Sequence, residues 1–324
     1  MNTDSMGPWP DLPLEAWRET RDTLHMWTQI VGKTLLASCA PLNHWWHVAL
    51  HVTPRGLASP PAAGLDCSFD VELDLIDHRL VVRTSDGRLA SLALEARPVR
   101  AFYEEYTALL EGLGLPAHVW TRPVEVADPI PFDVDELHRH YDPLWAHRFW
   151  QVLRRCDASL RDLAADFTGK QSPVHLFWGS LDLAATRFSG RHAPERPGAD
   201  PVTREGYSHE VLSFGFWPGG VTPAGVAVEE PILYAYAAPE PAGFRDVELL
   251  PDGARYDPRL GEFVLPYRTI RAAREPGALL RAFWEGAYAA GATLGGWDRS
   301  LLERGHPTPT RRDAAAEDVR HATH

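Results

Sequence analysis

The sequence predicts an α+β fold made of two diverged α-β-hairpin-α units with antiparallel sheets, and three observations predict it. Each half opens on a long segment, 14–38 and 142–167, whose apolar residues recur at helical spacing. Each of these is followed by short runs of aromatic and β-branched residues separated by turn signals, the pattern of hairpins. A Pro-rich connection at 123–141 parts the two, because proline supports neither a helix interior nor a central strand.

In the first unit, 1–122, Trp17, Leu24, Trp27, Val31 and Leu35 form one apolar stripe, so a helix is expected over 14–38. The run NHWWHVALHVT at 43–53, stopped by Pro54 and Gly56, reads as a strand. Phe69, Val71, Leu73 and Leu75 then alternate with polar residues, 79–83 continues after a turn, and Asp86-Gly87 turns the chain into 89–94. A helix over 98–113 carries Phe102, Tyr106 and Leu110 on one side. The second unit, 142–302, opens on Asp142-Pro143, a cap followed by proline at the first helical position, and Ala146, Phe149, Leu153, Cys156, Leu160, Leu163 and Phe167 repeat at spacings of three and four. Strands are expected at 173–186, 210–217, 232–237 and 262–265, and a last helix at 276–294. From 303 to 324 the chain is polar and patternless, which predicts a disordered tail.

The halves share an order of landmarks that suggests internal duplication. Gly32-Lys33 and Gly169-Lys170 each read as the end of the opening helix, and Trp45 and Trp178 each stand eight residues before a threonine, Thr53 and Thr186. The closing helices read Arg-Ala-Phe-Tyr-Glu at 100–104 and Arg-Ala-Phe-Trp-Glu at 281–285. Chance similarity between amphipathic helices is the alternative, and either lysine can simply balance the negative end of a helix.

Composition narrows the function classes. With 44% hydrophobic and 23% charged residues the chain is of globular type, and no apolar run is long enough to span a membrane. A net charge of −12 repels a phosphate backbone, so nucleic acid is a poor partner. Cys39, Cys67 and Cys156 stand far apart, and residues 1–11 lack a basic stretch followed by an apolar one, so a reducing, cytoplasmic setting is expected. Nothing in the sequence identifies a cofactor or an oligomeric state.

The chemistry-bearing residues are embedded in the aromatic runs. On a regular strand His44 and His47 point to opposite faces and His47 and His51 lie roughly 13 Å apart, so no metal site is expected. In the strand at 173–186, His175 and Asp182 are polar groups among bulky apolar ones, which implies partners or a polar cavity; a regular strand puts them on opposite faces. The following segment, 186–207, is rich in Arg, Pro and Gly and reads as a long loop in which Arg187 and Arg191 can clamp a carboxylate or phosphate, or simply pair with nearby acids. His209 and Glu210 lead into the next strand and face opposite sides. Glycine-rich dinucleotide turns, a phosphate-binding loop and a nucleophile elbow are all missing.

Three stretches, Pro41-Leu-Asn-His-Trp-Trp-His-Val48, Phe177-Trp-Gly-Ser-Leu-Asp-Leu183 with Thr186-Arg-Phe-Ser-Gly-Arg191, and Ser208-His-Glu210 with Gly215-Phe-Trp-Pro-Gly-Gly220, carry a resemblance. In them the chain resembles a bacterial family known as a domain of unknown function, over about residues 8 to 303. The resemblance implies no activity, cofactor or catalytic residue.

The reading that follows is a small-molecule enzyme, or ligand-binding protein, with an anionic substrate in a pocket between the halves. Trp45, Trp46, Trp178 and Trp217 are its expected walls. His175, His209 and Asp182 are the expected catalytic groups, and His44, His47, Trp46, Trp178, Arg187, Arg191 and Glu210 the expected binding groups. A non-catalytic interaction or scaffold protein is the alternative, in which the tryptophans are core and the basic loop meets a partner.

Overall fold

The computed structural model of the chain describes residues 9–304. Helix α1, Leu14–Ser38, lies where its spacing predicted, but it is buried on nearly every side rather than along one stripe. Two of its buried hydroxyls are satisfied within the helix: Thr23 and Thr34 donate to the carbonyls of Glu19 and Ile30 one turn back. Lys33 therefore sits inside the helix and not at its end.

The first sheet follows as a meander of β1 (His51–Val52), β2 (Gly56–Ala58), β4 (Ser68–Asp74), β5 (Arg79–Thr84) and β6 (Leu89–Ala93), with β3 (Ala62–Ala63) paired to β4. Helix α2, Val99–Gly112, closes the half with Phe102, Tyr106 and Leu110 buried. The second half also opens on a helix and continues into an antiparallel sheet. Helix α3, Pro143–Ala165, starts at the expected cap, where the Asp142 carboxylate accepts from the Leu144 N–H. Strands β7 (His175–Phe177), β8 (Asp182–His192) and β9 (His209–Trp217) follow, with the short helix α4 (Pro201–Gly206) before β9. A small hairpin of β10 (Gly220–Val221) and β11 (Ala227–Val228), then β12 (Ile232–Ala238), β13 (Arg255–Asp257) and β14 (Glu262–Pro266), lead to α5 (Tyr267–Ala272), α6 (Pro276–Leu294) and α7 (Arg299–Leu302). The second sheet runs β13-β14-β12-β9-β8-β7, all antiparallel. The chain is thus α+β with antiparallel sheets; each half opens on a helix that leads into an antiparallel sheet, but in the second sheet β14, not β13, lies next to β12, so the strand order is not a plain meander.

Three expectations are corrected. Residues 43–48 form a 3₁₀ turn, not a strand, with His44 and Trp45 in left-handed conformations (φ 58° and 62°). Such residues cost about 1–2 kcal/mol each, and here contacts to α4 offset the cost: the Glu205 carboxylate accepts the His44 N–H at 3.1 Å. The strand expected at 173–186 is a hairpin, broken at 178–181 where Leu181 is left-handed (φ 61°), so neither Trp45 nor Trp178 lies in a strand. The long loop expected at 186–207 is largely β8 and α4. Of the expected tail, Glu303 pairs with Phe167 and the Arg304 N–H donates to the Asp166 carbonyl; residues 305–324 lie outside the described ones.

One hydrophobic core contains residues of both halves, from Leu12 to Trp297. The two sheets meet edge to edge at Leu50 and Leu176, whose N–H groups each donate to the other's carbonyl at 3.0 and 2.8 Å. Beside this seam Trp178 lies flat against Gly32 of α1, so close that a Cβ there would come within 2.1 Å of its ring.

Candidate functional site

One face of the second sheet packs on α3 and α6. The other, outer face collects most of the polar chemistry. Residues directly opposite in an antiparallel pair share a face. His175 stands opposite Ala184 and Phe177 opposite Asp182 in the hairpin, so His175 and Asp182 share the outer face, a consequence of the turn that the regular-strand expectation lacked. The same register places Thr186, Phe188, Ser213, Gly215, Trp217, Tyr234, Tyr236 and Glu262 on that face. The middle of its floor is small: Ala184 and Gly215 stand side by side, and the Tyr234 ring crosses over Gly215, where a Cβ would meet it at 2.4 Å. The phenol thereby reaches across β9, and its hydroxyl donates to Asp182 on β8.

At one end of this face the 3₁₀ turn of the first half folds over β8. The His44 Nδ1–H donates to the carbonyls of Glu205 and Gly206 at 3.1 and 3.3 Å, which leaves Nε2 to accept from the Lys170 ammonium at 2.9 Å. Burial, and then the neighbouring Lys170 charge, lower the His44 pKa and keep the ring neutral. The same ammonium lies 4.9 Å from the Phe188 ring centre and 5.6 Å from that of Trp46. His209 lies 5.7 Å from His44 and 4.4 Å from His192, ring to ring, and accepts or donates at Nδ1 with the Ser208 hydroxyl. Among the described residues no carboxylate lies within ion-pair distance of Lys170.

Trp46 connects this end to His175, its ring 5.4 Å from His44 and 6.2 Å from His175. His175 is 2% exposed and its Nδ1 has no hydrogen-bond partner among the described residues; burial lowers its pKa to about 3. At the other end burial raises Asp182 to about 7 despite the Tyr234 hydrogen bond, and raises Glu262 to about 8 with Asp182 and Asp257 adding repulsion. Tyr207 and Tyr236 share a hydroxyl–hydroxyl hydrogen bond of 3.1 Å beside them. Glu125 of the Pro-rich connection accepts from the Ser180 hydroxyl and adds a further negative charge near Asp182. Its position follows from α1: the Gln29 amide is bonded to both the N–H and the carbonyl of Val124 at 2.9 and 2.8 Å, and the His25 Nε2–H donates to the carbonyls of Trp178 and Gly179.

Of the residues the sequence singled out, His44, Trp46, His175, Asp182, His209 and Trp217 lie on or over this face. The others do not. Arg187 points into the helix-covered side, where it donates to the Leu163 carbonyl and lies 4.9 and 4.3 Å from the rings of Phe167 and Tyr288. Arg191 is tied to Glu210 at 2.6 Å and to the carbonyls of Gly295 and Gly296, so both guanidiniums are engaged within the chain, away from this face. His47 accepts the Leu42 N–H and stacks on Trp45, holding the turn; Trp178 donates to the Val48 carbonyl, holding the seam. Sequence reasoning passed over Tyr207, Tyr234, Tyr236, Glu262 and Glu125. The alternation Tyr-Ala-Tyr at 234–236 signals two phenols on one face, but only the register shows which groups they meet.

A cleft of about 190 Å³ lies beside Glu210, Pro239 and Trp297, and one of about 220 Å³ opens at the rim of the outer face, against Ile232 and Val264 and between Glu229, Arg255, Asp257 and Arg268. No three His, Cys, Asp or Glu side chains among the described residues are grouped to hold a metal ion, and no helix there is long and apolar enough to cross a membrane. A family model described as a family of unknown function, DUF5996, matches residues 9–304. No curated protein and no solved structure matches the chain.

Proposed function

The chain belongs to DUF5996, a family of unknown function, and from that premise we propose that the outer face of the second sheet binds a small anionic molecule, on which the neighbouring side chains act by acid–base chemistry. The observation that carries this reading is Lys170. The sequence holds only two lysines among its 32 basic side chains, and this one is held by an imidazole nitrogen and two aromatic faces, with no carboxylate among the described residues within ion-pair distance. An ammonium so placed keeps N–H donors free, and His209 and His192 offer further donors beside it. Of the acid–base groups on the face, His209 and His192 are the ones beside this ammonium, while Asp182 stands roughly 20 Å away along β8.

The test is titration of the full chain with inorganic phosphate and with citrate, followed by calorimetry and by imidazole NMR signals. Saturable binding of one of them is expected, weakened at least tenfold by Lys170→Ala and less by His209→Ala. Binding that is unchanged in Lys170→Ala, or absent in the wild type for both anions at millimolar concentration, overturns the reading.

A further inference from the structure

The far end of the same face is built for the opposite charge. Asp182 and Glu262 have no cationic partner among the described residues, and Glu125 beside them bonds only the Ser180 hydroxyl. The titratable groups around Asp182 are Tyr234 and Tyr236 from β12, Glu262 from β14, Glu125 from the connection and Tyr207 from the end of α4, whose ring carries the Arg196 guanidinium 4.2 Å from its centre. Around them stand aromatic faces. Tyr234 and Tyr236 are stacked at 6.2 Å, Phe177 is directly opposite Asp182, and the half-buried Phe177 and Tyr236 join Trp217 and Tyr234 in one cluster. Carboxylates that repel one another among aromatic faces are costly without a counter-charge, and an organic ammonium supplies both the charge and the cation–π contact.

A second observation is independent of the acids. His175, on the same face beside Phe177 at 5.6 Å, is 2% exposed with Nδ1 unsatisfied. A buried polar atom without a partner among the described residues is open to one from a ligand, and this one faces the same surface as the acids.

We infer that the Asp182–Glu262 end of the outer face receives an organic ammonium group, seated on Tyr234, Tyr236 and Phe177, so that the ligand carries an amine at one end and an anion at the other. This deepens the reading above and rests on it for the site. From Phe188, beside Lys170, to Asp182 is six residues of β8, roughly 20 Å at about 3.3 Å per residue. Glu262, level with Thr186 through Tyr236 and Ser213, stands across the sheet between these positions, so Asp182 sets the ammonium end and the two charges can be probed separately.

The experiment titrates the full chain with 2-phenylethylammonium and with its neutral counterpart 2-phenylethanol, and in parallel with inorganic phosphate. Expected is saturable binding of the ammonium, at least tenfold tighter than the alcohol and weakened at least tenfold by Asp182→Asn and by Glu262→Gln. Circular dichroism and thermal melting show that the variants are folded; Glu262 is half-buried, so its variant serves if Asp182→Asn does not fold. Equal binding of ammonium and alcohol, or ammonium binding unchanged by the carboxylate variants, overturns the inference. Phosphate bound without the ammonium overturns it and leaves the anionic reading standing. Ammonium bound without phosphate supports the ammonium seat and overturns the anionic reading.

Discussion

At the scale of single residues, the two lysines set the terms. Lys33 is 3% exposed within α1, and its ammonium lies 4.3 Å from the centre of the Trp120 ring, with no ion pair among the described residues. Burial lowers its pKa to about 8. The folded state then binds fewer protons than the unfolded chain between pH 8 and 10.5. The Lys33 charge costs stability below pH 8, and that cost is relieved as pH rises through this window, by up to about 3 kcal/mol. With only two lysine side chains to observe, reductive ¹³C-methylation gives a clean reading by NMR: one signal is expected to titrate near 8. A Lys33 signal titrating above 10 shows that Trp120 leaves the amine hydrated. The same accounting separates the lysines from the arginines of this chain, such as Arg83, which bonds Asp70 and Glu72 across β4 and β5. Arginine forks suit such paired surface sites, whereas a compact ammonium suits an aromatic face.

At the scale of elements, close approach decides what the sequence revealed. Helices were legible because their signals are local: the 14–38 periodicity, the Asp142-Pro143 cap and the 276–294 run all fall on real helices. The meander from 69 to 94 was legible for the same reason. The turn at 43–48 was not, because its aromatic and β-branched residues also suit a strand, and its two left-handed residues are stabilised by Glu205, Gly206 and Lys170, far along the chain. The hairpin at 175–192 was misread as one strand for a related reason. Trp178, Gly179 and Leu181 form its turn, and what fixes that turn is His25 of α1 and the empty space over Gly32. Gly32→Ala therefore drives a methyl into the Trp178 ring. A loss of about 1–3 kcal/mol, as for other overpacked interiors, is expected in chemical denaturation. Gly112→Ala, with nothing within 4 Å of its Cβ, is expected to be neutral or stabilising. Equal midpoints for wild type and Gly32→Ala show that the helix and the turn are not in register as described. Half of the candidate site was hidden in the same way: His175, Asp182 and His209 stood out as polar residues in apolar runs, but their shared face depends on a turn and a register that no short window contains.

At the scale of the whole molecule, the question is whether the two units stand alone. The Pro-rich connection marks a break in the pattern, yet the physical boundary is crossed everywhere that matters. Helix α1 of the first half is enclosed by residues of both: Trp17 meets Phe149 of α3 at 5.1 Å, and Gly32 meets Trp178. Asp142 at the start of α3 donates its N–H to Thr20 at 3.0 Å, and Trp150 of α3 donates to the Thr53 carbonyl at 3.0 Å. The outer face needs both halves as well, since the 3₁₀ turn supplies His44 and Trp46 while the second sheet supplies the floor. A half without its partner exposes much of α1 or the faces that enclose it, and apolar burial at about 25 cal/mol per Å² is what outweighs the chain entropy. Neither 1–141 nor 142–304 is thus expected to fold when expressed alone. Mixing or co-expressing them is expected to restore a cooperative melt and dispersed NMR signals. If 142–304 alone melts cooperatively, the seam at Leu50 and Leu176 is a contact between two independent domains, and the face would then have to hold His175 and Asp182 in place without the first half.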